Sequence, residues 1–284
     1  MIIQIDEALV KNTIIPRTAE ADKTQIGTLL SICGSYGMAG AAIMSSNAAL
    51  RSGLGLLKLC VPESVYPILA GSVPEAVFIP YKYSDELKLS ALSKYCSAIL
   101  IGCGLSVNNG TRELVKKVIE QSTIPLVLDA DALNIVSENT EVLKNAKAPV
   151  IITPHVREFS RLSGKSVDDI NSDKERYAKE FAEKHRVTVV LKGHKTVVAS
   201  PDGKLAINTE HGNAGMAVGG SGDVLAGITA AFAAQGFDIF GLACSAVFIH
   251  ALAGDIAKEK LGMISMLPTD IIKCLPDAFM RIFP

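Results

Sequence analysis

The chain has 284 residues, 49% of them hydrophobic, with 23 glycines, no Trp and a formal net charge of −1. Such a composition excludes a disordered chain and suits a buried core of Ala, Val, Leu and Ile threaded by tight loops. Without a global field or a run of five or more like charges, neither nucleic acid nor a membrane is an expected partner, and a small molecule is.

At the N-terminus, MIIQIDEALVKNTIIPR carries acidic residues where a signal peptide carries basic ones and lacks a continuous apolar stretch, so a cytoplasmic location is expected. Short apolar runs then recur at Thr28–Cys33, Leu56–Val61, Ala98–Ile101, Pro125–Leu128, Val150–Thr153 and Val187–Leu191. Continuous runs of this kind suit strands covered on both faces, as in a parallel sheet. Helical patterns lie between them, at Ala39–Arg51, Gly110–Gln121 and Val167–Lys184, the last acidic early and basic late as a helix dipole prefers. Past Leu191, two extended pieces, Thr196–Ser200 and Lys204–Asn208, flank Pro201-Asp202-Gly203 and predict a hairpin at a sheet edge. The apolar segment Ile239–Ala253 falls short of the ~20 residues of a membrane span and reads as a buried core helix. The six cysteines form no C-x-x-C and lie mostly in apolar surroundings, as reduced thiols do. No linker or repeat divides the chain. The expectation is one α/β domain over residues 1–284, a three-layer α-β-α sandwich on a mostly parallel sheet with an edge hairpin.

In open parallel sheets, ligands sit beyond the carboxyl ends of the strands. The strongest signal of that kind is Asn213-Ala-Gly-Met-Ala-Val-Gly-Gly-Ser-Gly-Asp223, a glycine-dense loop running into an apolar helix. Its glycines, Gly220 and Gly222 among them, let backbone N–H groups converge on a phosphate at a helix start. Asp223 either caps that helix or acts as the general base that takes a proton from a hydroxyl meeting a phosphoryl group. In Ile151-Ile152-Thr153-Pro154-His155-Val156-Arg157-Glu158, a strand ends before a helix expected from Phe159. His155 can donate to a substrate and Glu158 can hold Mg²⁺ through water, or Thr153 caps and Glu158 fills the first turn. Lys192-Gly193-His194-Lys195-Thr196 leaves another strand with charges suited to nucleotide phosphates, or forms a solvated turn. Gly34-Ser-Tyr-Gly37-Met-Ala-Gly40-Ala-Ala42 and Gly102-Cys-Gly104 are weaker glycine sites. Asp129 and Asp131 close a further strand, where Asp131 capping the next helix competes with a binding role. His250 reads as a core histidine.

Taken together, GSYGMAGAAIMSSNAALRSGLG, IGCGL, LDADAL, ITPHVREF, VLKGHKTVV and NAGMAVGGSGDVLAG resemble, in order, the ADP-dependent NAD(P)H-hydrate dehydratase family of the ribokinase-like superfamily. The resemblance implies a ribokinase-like fold and a hydrated nicotinamide nucleotide contacted by Ala41 or Ala42, Gly104, His155 and Asp223. It further implies an adenine nucleotide, ADP or ATP, held by Lys192, Gly193, His194, Lys195, Thr196, Asn213, Gly220 and Gly222, with Mg²⁺ organised by Glu158. Val156 and Arg157 stand where the family has Pro and Gly. The implied reaction is the ADP-dependent dehydration of hydrated NADH and NADPH to NAD(P)H, AMP and phosphate. A homo-oligomer such as a tetramer is also implied. An ATP-dependent kinase of a hydroxymethylpyrimidine or thiazole precursor shares the loop and the base, and a nucleotide-sensing protein without catalysis is the alternative from another class.

Overall fold

The computed structural model describes residues 2–17, 26–82 and 87–284. Its strands are β1 (Ile2–Gln4), β2 (Thr28–Ile32), β3 (Leu56–Pro62), β4 (Val77–Tyr81), β5 (Ala98–Ile101), β6 (Leu126–Leu128), β7 (Val150–Ile152), β8 (Thr188–Leu191), β9 (Thr196–Ala199) and β10 (Leu205–Asn208). They form one sheet in the order β1-β10-β9-β8-β7-β6-β5-β2-β3-β4, parallel except where β9 runs against β8 and β10. The predicted hairpin is thus β9–β10, with β1 added outside it in parallel to β10.

Both faces of the sheet are covered, as the apolar runs require. Along β5, Ala98 and Leu100 point into one core, and Ile99 and Ile101 into the other. Pleating sends successive side chains to opposite faces, so a fully apolar strand serves two layers at once. One layer contains α1 (Glu7–Thr13), α2 (Ala39–Arg51), α10 (Ser221–Ala234), α11 (Ile239–Leu261) and α12 (Pro268–Ile282). The other contains α5 (Asn109–Gln121), α6 (Asp131–Val136), α7 (Val156–Ser163) and α9 (Lys174–His185). Two short helices, α3 (Tyr66–Ser72) and α4 (Leu89–Leu92), and α8 (Val167–Ser172) complete the set described.

Several boundaries differ from the sequence expectation. The helix expected over Val167–Lys184 is two helices, because Asp173 leaves helical geometry and its carboxylate accepts from Arg176 N–H to start α9 afresh. The helix expected from Phe159 begins at Val156, with His155 and not Thr153 as its cap. Asp131 is not a cap either: it is the first residue of α6, and its carboxylate accepts from Ser106 N–H at 2.8 Å. α11 runs to 23 residues and is, among the described residues, the one helix long and apolar enough to cross a bilayer. Within the fold it packs on α10, α12 and α1, and 78% of its most apolar window is buried.

Strand order reverses direction between β2 and β5, since the chain passes from β2 outward to β4 and then returns to β5 on the other side. At such a switch point the loops leaving neighbouring strands diverge and open a crevice at the carboxyl edge. The loops after β2, β5, β6, β7 and β8 all emerge there, and the start of α10 lies over them.

Candidate active site

The crevice is organised around Asp129, at the end of β6. Its carboxyl is buried, and Oδ1 accepts from Thr153 Oγ1 at 2.7 Å and from Lys192 Nζ at 2.9 Å. The other oxygen faces Cys103 Sγ at 3.8 Å. Lys192 reaches this position because its backbone N–H donates to Pro154 O at 2.9 Å, extending the β7–β8 pairing past the strand ends. Burial would lower the Lys192 pKa, but Asp129 and Glu158 outweigh it and hold the ammonium charged.

Asp223 is the third residue of α10, and Gly220, with φ of 104°, is the residue before the helix. The capping alternative for Asp223 is therefore excluded. Facing atoms of Cys103, Asp129 and Asp223 lie within 4.8 Å of one another. Burial, and then the charge of Asp129, push the Asp223 carboxyl up to about 7, against the opposing pull of the Cys103 thiol and Lys192. A carboxylate so raised binds protons more strongly than one in water. Cys103 is thus buried in the apolar core, as expected, while its thiol faces two carboxylates.

Substrate-side positions converge on the same place. Gly104 has φ of 62°, and a Cβ there would meet Met38 O at 2.8 Å and Ala41 Cβ at 2.9 Å, so the loop after β5 sits directly against the start of α2. Ala42 is buried against Gly34, where a Cβ would lie 2.9 Å away. His155 is about half-exposed, and its Nδ1 accepts from the N–H groups of Arg157 and Glu158 at 3.1 and 3.2 Å. Glu158 returns the contact, its Oε2 accepting from His155 N–H at 2.8 Å. Burial, followed by Lys192, lowers the His155 pKa. The ring is then neutral with its proton on Nε2, which lies 3.6 Å from Glu158 Oε1. Glu158 is buried, and desolvation raises its carboxyl to about 7.

Nucleotide-side positions divide into two groups. Gly222 lies over Lys192, since a Cβ there would be 3.1 Å from Nζ. In the turn after β8, Gly193, His194 and Lys195 are exposed, Thr196 Oγ1 donates to Gly193 O at 3.2 Å, and Lys174 Nζ lies beside Gly193. Asn213 is different: its amide is spent inside the protein, Nδ2 donating to Gly254 O and Asp255 Oδ1 at 3.0 and 2.9 Å, and Oδ1 accepting from Gly215 N–H at 3.0 Å. Three contacts escaped sequence reasoning: Cys103 against the carboxylates, Asp255 beneath Asn213, and His250 Nε2 at 3.3 Å from Ser221 Oγ. Each joins residues far apart in sequence, which no local pattern signals.

A family model described as NAD(P)H-hydrate dehydratase matches residues 29–277. An ADP-dependent (S)-NAD(P)H-hydrate dehydratase of Neisseria meningitidis is 36% identical over 88% of this chain and 84% of its own length. A bifunctional NAD(P)H-hydrate repair enzyme of Moorella thermoacetica is 37% identical over 92% of this chain, and the chain spans about half the length of the bifunctional relatives it matches. Among solved structures, an ADP/ATP-dependent NAD(P)H-hydrate dehydratase from Bacillus subtilis, co-crystallised with ATP and Mg²⁺, superposes with a TM-score of 0.87 at 31% identity, covering 99% of each chain.

Proposed function

The chain belongs to the NAD(P)H-hydrate dehydratase family, with its ribokinase-like fold, and from that premise we propose that it converts hydrated NADH and NADPH to NAD(P)H, with ADP consumed to AMP and phosphate. The observation that carries the reading is the position of Asp223. It combines a raised carboxyl, a glycine loop entering its helix and a neighbouring Gly104–Ala41 contact at the sheet's switch point.

Hydroxide leaves the hydrated nicotinamide ring poorly, and phosphate leaves well. Asp223 takes the proton of the ring hydroxyl as its oxygen bonds to the terminal phosphorus of ADP and the bond from that phosphorus to AMP breaks. Phosphate then departs with the C–O electron pair, assisted by the ring nitrogen's lone pair, and the adjacent ring carbon gives a proton to water as the double bond returns. Gly104, with Ala41 or Ala42, lines the substrate side, and His155 donates from Nε2. Backbone N–H groups at Gly220 and Gly222 and the turn Lys192–Thr196 face the phosphates, with charge gathered at a helix start. Mg²⁺ brought with the nucleotide supplies neutralisation of phosphate charge. Glu158 fits it only through water, because Oε2 is engaged by His155 N–H and the carboxyl is raised to about 7.

The same proposal treats residues 1–284 as one domain, supported by a single sheet running through all ten strands, and as a cytoplasmic homo-oligomer, which light scattering and cell fractionation test. The decisive experiment incubates the protein with hydrated NADH, Mg²⁺ and either ADP or ATP. Absorbance of NADH returns in step with AMP release from ADP. A flat trace with both nucleotides rejects the dehydratase and turns attention to alcohols of vitamin precursors.

A further inference from the structure

We propose that Asp255, which lies outside the reacting centre, is a positioning residue for the adenine nucleotide, acting through the segment His211-Gly212-Asn213. The inference rests on the nucleotide site assigned above. Asp255 belongs to α11 and accepts three hydrogen bonds from that segment. Oδ2 takes the His211 ring at 3.1 Å and Gly212 N–H at 3.0 Å, and Oδ1 takes Asn213 Nδ2 at 2.9 Å. A carboxylate only accepts, so the His211 proton resides on Nδ1. The His211 ring meets Phe248 edge-on at 4.9 Å between centroids, and Asn208 Nδ2 fixes His211 O at 2.9 Å.

These contacts use both donors of Asn213 and, through Gly215, its acceptor. The side chain therefore serves the shape of the loop. Farther on, the same helix holds the loop again, with His250 at Ser221, the first residue of α10. The glycine loop is thus pinned at both ends to α11 before any phosphate arrives. A loop of this composition, left free, loses much backbone entropy when it closes on an anion, and prior ordering removes that cost from binding. The substrate side, built on Gly104, Ala41 and His155, does not depend on Asp255.

The test compares Asp255→Ala and Asp255→Asn with the wild type, measuring ADP binding by calorimetry, KM for ADP and for hydrated NADH, and thermal unfolding. The Asp255 side chain is 24% exposed, so its truncation leaves the core closed. ADP affinity should fall about tenfold in Asp255→Ala and less in Asp255→Asn, which keeps one acceptor oxygen, while KM for hydrated NADH moves by less than about twofold. ADP affinity within about twofold of wild type, or parallel losses in both KM values that track the melting temperature, overturns the inference. If Asp255→Ala does not fold, Asp255→Asn decides, a rise of about threefold in the ADP dissociation constant being the threshold. Wild type that binds ADP without turning over hydrated NADH rejects the dehydratase reading alone. Unchanged ADP affinity in the variants beside normal wild-type turnover rejects this inference alone.

Discussion

Lys192 Nζ lies 2.9 Å from Asp129 Oδ1, and their side chains are only 18% and 2% exposed. Breaking a buried pair from one side strands the other charge, at a typical cost of about 3–5 kcal/mol. Lys192→Met and Asp129→Asn should each lose stability of that order in urea unfolding, and the double variant should lose clearly less than their sum. Strict additivity would show that the two groups do not depend on each other. Turnover should collapse in all three, since the pair faces Asp223.

Asp223 should work against the stability of its own fold. Its carboxyl rises from an ordinary 3.8 to about 7, chiefly through burial, so the folded state disfavours the charge. That penalty is absent below the unfolded value and complete above the folded one. Asp223→Asn should therefore abolish turnover yet melt a few degrees higher than wild type near pH 8, the gain disappearing towards about pH 4. Calorimetric scans across that range check it, and a variant that melts lower throughout would contradict the burial argument.

Much of this arrangement is legible in the sequence. The boundaries of α2 follow from its helical pattern and those of β5 from an unbroken apolar run, and the strand-end motifs named their own sheet edge. Other parts are not legible, for physical reasons. β4 has two exposed residues, one of them Pro80, so its run resembles no buried strand. α7 starts early because an imidazole nitrogen accepts two backbone N–H groups, a role usually filled by Ser, Thr, Asp or Asn. Cys103 is indistinguishable from a core thiol until β6 brings Asp129 beside it. Asp255 reads as a polar residue closing an apolar helix until its partners, some forty positions earlier, fold onto it.

A base with a carboxyl near 7 fixes the direction of the pH–rate profile. kcat/KM should rise with pH through about 7 as Asp223 loses its proton, then level off. Glu158, also near 7, stands close enough to Lys192 and Asp129 to move that limb. Glu158→Gln should displace the rising limb and weaken the response to Mg²⁺ while leaving its shape intact. Rate that falls with pH across this range would remove Asp223 from the role of base.

His250 offers the opposite linkage, and with it a test of how firmly α11 holds the glycine loop. Burial, followed by the charge of Lys192, drives its pKa from an ordinary 6.5 to about 4. Between those values the unfolded chain takes up a proton that the folded one refuses, so this residue lowers stability as pH falls through that window. Asp223 and Glu158 run the other way over nearly the same range, because their folded values are raised. Wild-type acid stability alone is therefore a sum of opposed effects, and a variant is needed to separate them. His250→Gln, whose amide reaches the Nε2 position, keeps a partner for Ser221 Oγ but does not titrate. Its stability relative to wild type should improve steadily from about pH 6.5 down to about pH 4 in urea unfolding, whatever its offset at neutral pH. A difference independent of pH would mean that the buried ring takes up its proton as readily as it does in water.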